Sequence, residues 1–350
     1  MRPVLRTSLL ILVAALAVVA GFAGGYTAHP STGGPSPTTL GIVAAGSLSP
    51  HALLPAMASA YANVTPGVVT PTAAQVYEGS SAAASQIVAA GPNSPFDLFV
   101  SADYRVIPRQ LENGSPSYAL GEAVFASDPL VLAYSPSALP TINATNWYTA
   151  IQGSGIVLGV PNASADPLGA NVILALELQD SLAGLSGALY SHFFTGSMGG
   201  FAGITAHTRY VPENTAALAL SEGEVQAYMI YASYARANHL ASVPLPASVD
   251  LGGISAGDVA AYSAVATTVL SGTGTAVVRG APALFALTVP TNAPTPAVGD
   301  AFAAWLLASG QAPWWTAAGF ALTPTVWTVG TVGFLPSGAS PLPADLAALI

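Results

Sequence analysis

The sequence predicts an α/β fold in two lobes joined by two hinge-strand crossings. Three observations carry this. From Leu40 onward, short β-type runs alternate with helical segments, the pattern of α/β architectures. Two strongly apolar strands, at residues 130–134 and 284–289, read as the crossings between lobes. The length, 350 residues, gives each lobe enough chain for its own core.

The elements follow in order. Residues 41–45 (Gly-Ile-Val-Ala-Ala) read as a buried strand, and Ser49-Pro50 starts a helix through about Ala62, Pro being tolerated in a first turn. A second strand is expected at residues 67–70, a helix opening at Ser80 or Ser81 and running to Ala90, and a third strand at residues 97–101. A helix is expected from about Ala102. Beyond the first crossing come a strand at residues 155–160, a helix from Pro167 to about Leu182 and a strand at residues 226–231. Closing helices at residues 300–308 and 313–319 return to the first lobe. The expected division is residues 40–129 with 290–350 in lobe 1, and 130–289 in lobe 2.

The chain is 52% hydrophobic with a mean hydropathy of +0.57, values that suggest a membrane protein. Yet only residues 8–23 approach a span, and the repeated apolar runs of about 20 residues that a multi-span transporter needs are missing. Arg2 and Arg6 precede that stretch, so residues 1–25 read as an export signal or a retained anchor. Residues 26–39 form a Pro/Ser/Thr/Gly linker. Asn63, Asn143 and Asn162 stand in sequons, in keeping with an exterior face. There is no Cys, which excludes disulfides, Cys-bound zinc and a lipidated cysteine.

Only 7% of residues are charged and there is no Lys. Without the leader, five Arg face sixteen acids, a formal −11. That balance excludes nucleic acid as a partner. A surface left to neutral polar residues fits an acidic exterior, where carboxylates lose their charge; a GC-rich genome favouring Ala, Gly and Pro codons gives the same composition.

Several loops at helix starts carry small hydroxyl residues or a carboxylate: Gly46-Ser47-Leu48-Ser49, Gly79-Ser80-Ser81, Asp166-Pro167-Leu168 and Glu213-Asn214-Thr215. Helix N-termini offer unpaired N–H groups and a partial positive charge, so they bind anions without Lys or Arg. Ser and Asp are also the commonest N-caps, and each loop taken singly reads as a cap and nothing more.

Taken together, and in order, the segments resemble a family. Ala45-Gly-Ser-Leu-Ser, Gly79-Ser80, Phe99-Val-Ser-Ala-Asp-Tyr, Asn146-Trp147-Tyr148 ahead of Asp166-Pro167, Glu213 with Tyr231 eighteen residues on, and Leu287-Thr-Val-Pro-Thr-Asn-Ala-Pro resemble the archaeal-type tungstate/molybdate-binding proteins of ABC importers. The likeness spans about residues 40–322. It implies a two-lobed, periplasmic-binding-protein-like (type II) fold, a monomer outside the cell, a membrane permease as partner, and no catalysis or resident cofactor. It implies a ligand shell of Gly46, Ser47, Ser80, Asp166, Pro167, Leu168, Glu213 and Tyr231. Asp166 and Glu213 would each supply one oxygen directly to the metal, taking it from four to six ligands. Mo(VI) and W(VI) accept such hard ligands, whereas sulfate and phosphate cannot expand their shells. The sequence departs from the family at Ile230, where an acid is usual, and at Leu168, where a small or thiol residue is common. The spacing from Asp166 to Glu213 is also compressed.

Other readings stay open beside this one. Asp166 and Glu213 could be a glycosidase-type acid/base pair, though no aromatic sugar platform accompanies them. The site could take sulfate, thiosulfate or phosphate, or the chain could be a non-binding surface protein. His29, His51, His192, His207 and His239 lack metal-ligand spacing. Trp305, Trp314 and Trp315 read as core, and Arg105 and Arg109 as a solvated helix face.

Overall fold

A computed structural model describes residues 36–49, 53–200, 203–271 and 274–350. The expected export segment, most of the linker and the helix start at Pro50 lie outside the described residues.

Two sheets organise the chain from Thr38 onward. The first has seven strands in the order Ser340–Pro341, Ala321–Gly330, Gly121–Ser127, Leu284–Thr288, Leu98–Ser101, Ile42–Ala45 and Gln75–Glu78. The second has five, in the order Thr208–Tyr210, Leu158–Val160, Ala227–Tyr231, Leu130–Tyr134 and Ser242–Pro244. Central strands such as Ile42–Ala45, Leu98–Ser101 and Ala227–Tyr231 are buried at every residue. That is why they read as unbroken apolar runs: both faces of each sheet are covered. Ile42–Ala45 runs parallel to both Gln75–Glu78 and Leu98–Ser101. The loops leaving those three strands therefore gather at one edge, the usual ligand edge of an open α/β sheet.

The chain leaves the first sheet at Ser127 and enters the second at Leu130, so the crossing is Asp128-Pro129. It re-enters the first sheet at Leu284. Both passages lie side by side: Asp128 donates its N–H to the Ala283 carbonyl at 3.0 Å, and Ala283 donates to Leu251 at 2.7 Å. The two expected hinge strands are each internal to one sheet, and the residues just before them make the crossings. Leu284–Thr288 pairs with Leu98–Ser101 and Gly121–Ser127, and so belongs to the first sheet. Helix Ala256–Tyr262 also sides with it, since Val259 shares a core with Leu342 and Leu346.

Other expectations need correction. Thr38–Thr39, assigned to the linker, pair in parallel with Val68–Val69. The strand expected at residues 67–70 is used up in that small pairing, and Gln75–Glu78 takes its place in the main sheet. Local β-propensity cannot tell which of two nearby runs will dock. Neither the hairpin of Ala266–Ser271 with Gly274–Arg279 nor the ten-residue strand Ala321–Gly330 was anticipated. The segment after Ala102 turns before a short π-helical stretch, Ile107–Glu112. Arg105 is not on a solvated face: it is 2% exposed, pairs with Asp103 at 2.7 Å and donates to the Arg279 carbonyl. Trp315 is core, but Trp314 is exposed.

Candidate functional site

The site begins with four chain turns that the two sheets bring face to face. From the first sheet, strand Ile42–Ala45 runs into the 3-10 turn Gly46–Leu48, and Gln75–Glu78 leads through Gly79 into helix Ser80–Ala90. From the other lobe, Asp166 caps helix Pro167–Ala183, and Glu213 opens a 3-10 turn ahead of helix Ala216–Ser221.

The two lobes meet closely here. A Cβ placed on Gly46 would lie 2.9 Å from Glu213 Oε2, and one on Gly79 would lie 2.7 Å from Asp166 Cβ and overlap the Ala165 carbonyl oxygen. Ala82 donates its N–H to Ala165 at 3.1 Å, and Asn214 Nδ2 donates to the Tyr77 carbonyl at 3.1 Å. Both bonds cross the cleft. The chain is thus described with its cleft shut.

Inside it, the polar atoms are under-used. Asp166 Oδ1 accepts the Leu168 N–H at 2.9 Å, a helix cap, and Pro167 fills the first helical position, where no donor is needed. Ser80 Oγ accepts from Ala102 N–H at 3.0 Å and keeps its own proton to give. Ser47 Oγ and both Glu213 carboxylate oxygens are buried without a partner in hydrogen-bond geometry. The Ser47 N–H and hydroxyl nonetheless lie near enough to offset part of the cost of charge on Glu213. Burial, and then the Asp166 carboxylate, push the Glu213 carboxyl well above its usual range. Burial likewise raises Asp166, against the Leu168 hydrogen bond. Among the described residues, no ion pair reaches either group. Two buried carboxyls without a cation must hold protons or meet an electrophilic centre.

Of the eight residues implied by resemblance, the fold gathers the small-residue turns Gly46-Ser47 and Gly79-Ser80 against Glu213 and Asp166. Tyr231 ends its strand fully buried, and the charges of Glu213 and Asp166 act on its hydroxyl. Leu168 is 0% exposed with its side chain in the core, so only its backbone faces Asp166. A cavity of about 590 Å³ adjoins the site, lined in part by Ser81, Ala165, Pro167, Arg105 and Arg109. Both arginines are engaged: Arg105 by Asp103, and Arg109 by the carbonyls of Leu349 and Ile350. His192 and His207 stack at 4.1 Å, and among the described residues no group of three or more metal-ligating side chains forms.

The sequence reading missed two residues here. Asn171 donates Nδ2 to the Tyr231 hydroxyl at 3.2 Å, and Asp128 accepts the Ser233 N–H at 3.1 Å. The signals existed: a lone Asn in the apolar run Leu168–Leu176, and an Asp-Pro break between two apolar strands.

The profile of the bacterial extracellular solute-binding proteins matches residues 40–321, most of the chain. The chain belongs to that family. An uncharacterized solute-binding protein of Methanoculleus marisnigri is 27% identical over 237 residues, 62% of this chain and 65% of that protein. One from Methanococcus maripaludis is 24% identical over 221 residues, 57% of this chain and 61% of that protein. The match therefore spans less than two thirds of either relative. Among solved structures, the Azotobacter vinelandii periplasmic molybdate-binding protein covers 81% of the chain and 99% of its own length, at TM-score 0.55 and 17% identity. The Mycobacterium tuberculosis sulfate-binding protein SubI covers 81% and 86%, at 0.51 and 15%. At such identities the likeness is one of fold, and it gives this solute-binding protein the two-lobed, periplasmic-binding-protein-like architecture. Membership of an extracellular family implies export, and no described helix is long and apolar enough to cross a membrane.

Proposed function

We propose that this solute-binding protein closes on molybdate or tungstate and delivers it to the permease of an ABC importer, without turnover. One observation carries the reading: Glu213 is 2% exposed with neither oxygen hydrogen-bonded, and it sits in electrostatic contact with a second buried carboxyl, Asp166. Such a pair repels an oxyanion unless it bonds to the central atom. Mo(VI) and W(VI) accept two more oxygen ligands; sulfur and phosphorus do not. The Ser47 and Ser80 hydroxyls, and the free N–H groups opening helix Ser80–Ala90, would then serve the oxo groups. The metal arrives as cargo, and the site residues fit it.

A second reading rests on the same raised carboxyls. Held neutral, Asp166 and Glu213 could donate hydrogen bonds to sulfate or phosphate. The two readings predict opposite proton linkage. Metal ligation needs both carboxylates ionised, so binding expels protons and affinity falls on acidification. Sulfate held by neutral carboxyls takes up protons, and its affinity rises.

Calorimetric titration with tungstate, molybdate, sulfate and phosphate at about pH 5 and about pH 8 separates the readings. Tight one-to-one tungstate binding that weakens in acid is expected. Sulfate binding as tight as tungstate, strengthening in acid, would sink the metal reading. X-ray absorption of bound tungstate should show six oxygen neighbours; a purely tetrahedral metal contradicts direct ligation.

A further inference from the structure

We infer that Asn171 is a positioning residue that turns the Tyr231 hydroxyl into a hydrogen-bond donor toward the bound anion; this rests on the cleft being the anion site. Asn171 lies on helix Pro167–Ala183, five residues beyond the Asp166 cap, in a stretch buried from Pro167 to Asp180. Its amide is 2% exposed. A polar side chain in such a stretch is unfavourable unless it is used.

Its use is visible. Nδ2 donates to Tyr231 Oη at 3.2 Å. A phenol hydroxyl has one proton and accepts through its lone pairs. With a lone pair occupied by the amide, its proton is left for another acceptor. The groups whose charges reach this hydroxyl are Glu213 and Asp166, the two carboxyls of the cleft, followed by Asp103. With the amide reversed, Asn171 Oδ1 would face the hydroxyl and draw its proton away from the cleft. In the arrangement present, Oδ1 is instead buried with no partner.

The donor matters because donors are scarce. Once Asp166 and Glu213 ligate the metal, the oxo groups carry the remaining charge, and no Lys exists to meet it. The Arg105 guanidinium is committed to Asp103 and to the Arg279 carbonyl. Ser47, Ser80, backbone N–H groups and Tyr231 remain. Phe285 packs edge-on against the Tyr231 ring at 5.5 Å, so the ring is held and the remaining freedom is the rotation of its hydroxyl. Asn171 removes that freedom.

A double-mutant cycle tests this, read as tungstate affinity by calorimetry. Tyr231→Phe is expected to weaken binding about tenfold, the worth of one hydrogen bond to a charged group. Asn171→Leu should weaken it about fivefold in the native background, but by less than about twofold in Tyr231→Phe, because its effect passes through the hydroxyl. Asn171→Asp keeps the shape; read at about pH 8 or above, where its buried carboxyl gives up the proton it holds in acid, the carboxylate can only accept. It should draw the hydroxyl proton away and cost at least as much as Asn171→Leu, which keeps the cycle usable if the Leu variant folds poorly. Equal losses from the Asn171 change in both backgrounds, or no loss in either, overturn the inference. If the native protein binds sulfate and not tungstate, the metal reading fails by itself. The same cycle is then run with sulfate, where the coupling is still expected. Failure to bind any of these anions overturns both.

Discussion

At Glu213 the fold holds a carboxyl out of water with no hydrogen bond to either oxygen. Its raised pKa fixes a sign. In the folded state it holds its proton to higher pH than in the unfolded chain, so folding loses stability as pH rises from the unfolded value through the folded one. Below that window the penalty vanishes. Glu213→Gln should therefore raise the melting temperature of the ligand-free protein by about 2 °C or more near neutral pH, and by little in acid. On the proposed site, the same change, like Asp166→Asn, should weaken tungstate binding about a hundredfold or more, since each would remove a direct ligand. Calorimetry and thermal unfolding on the same samples check both effects. A Glu213→Gln protein that is less stable at neutral pH would show that Glu213 serves the fold rather than the ligand.

The glycine turns set how far the lobes can approach. Gly46 and Gly79 each sit where a methyl group would run into the opposite lobe, against Glu213 in one case and Ala165 with Asp166 in the other. If the lobes part when no anion is bound, the first lobe presents the turn without that contact, and the clash then belongs to closure and not to folding. Gly79→Ala is expected to weaken anion binding at least about tenfold while leaving the melting temperature of the ligand-free protein nearly unchanged. Small-angle scattering should show the native protein contracting on saturation with tungstate, through the paired crossings at Asp128-Pro129 and at Leu284, and the variant contracting less. Identical curves with and without ligand argue against lobe closure. Strands such as 41–45 and 97–101 were legible because their apolar runs are buried on both faces. The hairpin of Ala266–Ser271 with Gly274–Arg279 was not: its second strand is largely exposed, and its place depends on docking against helix Pro167–Ala183.

Over the whole molecule, carboxyls are buried faster than cations are supplied. Glu122 has both oxygens buried without partners, and burial together with Glu112 and Asp103 raises it well above its usual range. Burial carries Asp128 and Glu177 to about 7. For Asp128, a rise of that size weighs up to about 4 kcal/mol against the folded state once the carboxyl ionises. Asp103 acts in the opposite sense: despite its burial, Arg105 holds it below the usual range, so its contribution is lost only as pH falls through that lowered value. The raised groups outnumber it, and stability should climb as pH drops from about 7.5 to about 4.5. Metal ligation runs the other way. Tungstate affinity should fall in acid before the far-ultraviolet circular dichroism changes. Loss of fold before loss of binding would return the charge-poor composition to codon usage.

The sequence by itself determined the α/β alternation, the order of most core strands and the helix-start turns that carry Ser47, Ser80, Asp166 and Glu213. These are local matters of apolar periodicity and capping chemistry, and a chain shows them before it folds. Only the tertiary structure decided which run joined a sheet, that Arg105 turns inward to Asp103, and that Asn171 meets Tyr231 sixty residues away. It also brought two carboxyls from separate turns of the second lobe against two glycine turns of the first. Such meetings depend on packing between distant segments, where the gain comes from shared burial and leaves no periodic mark on either segment.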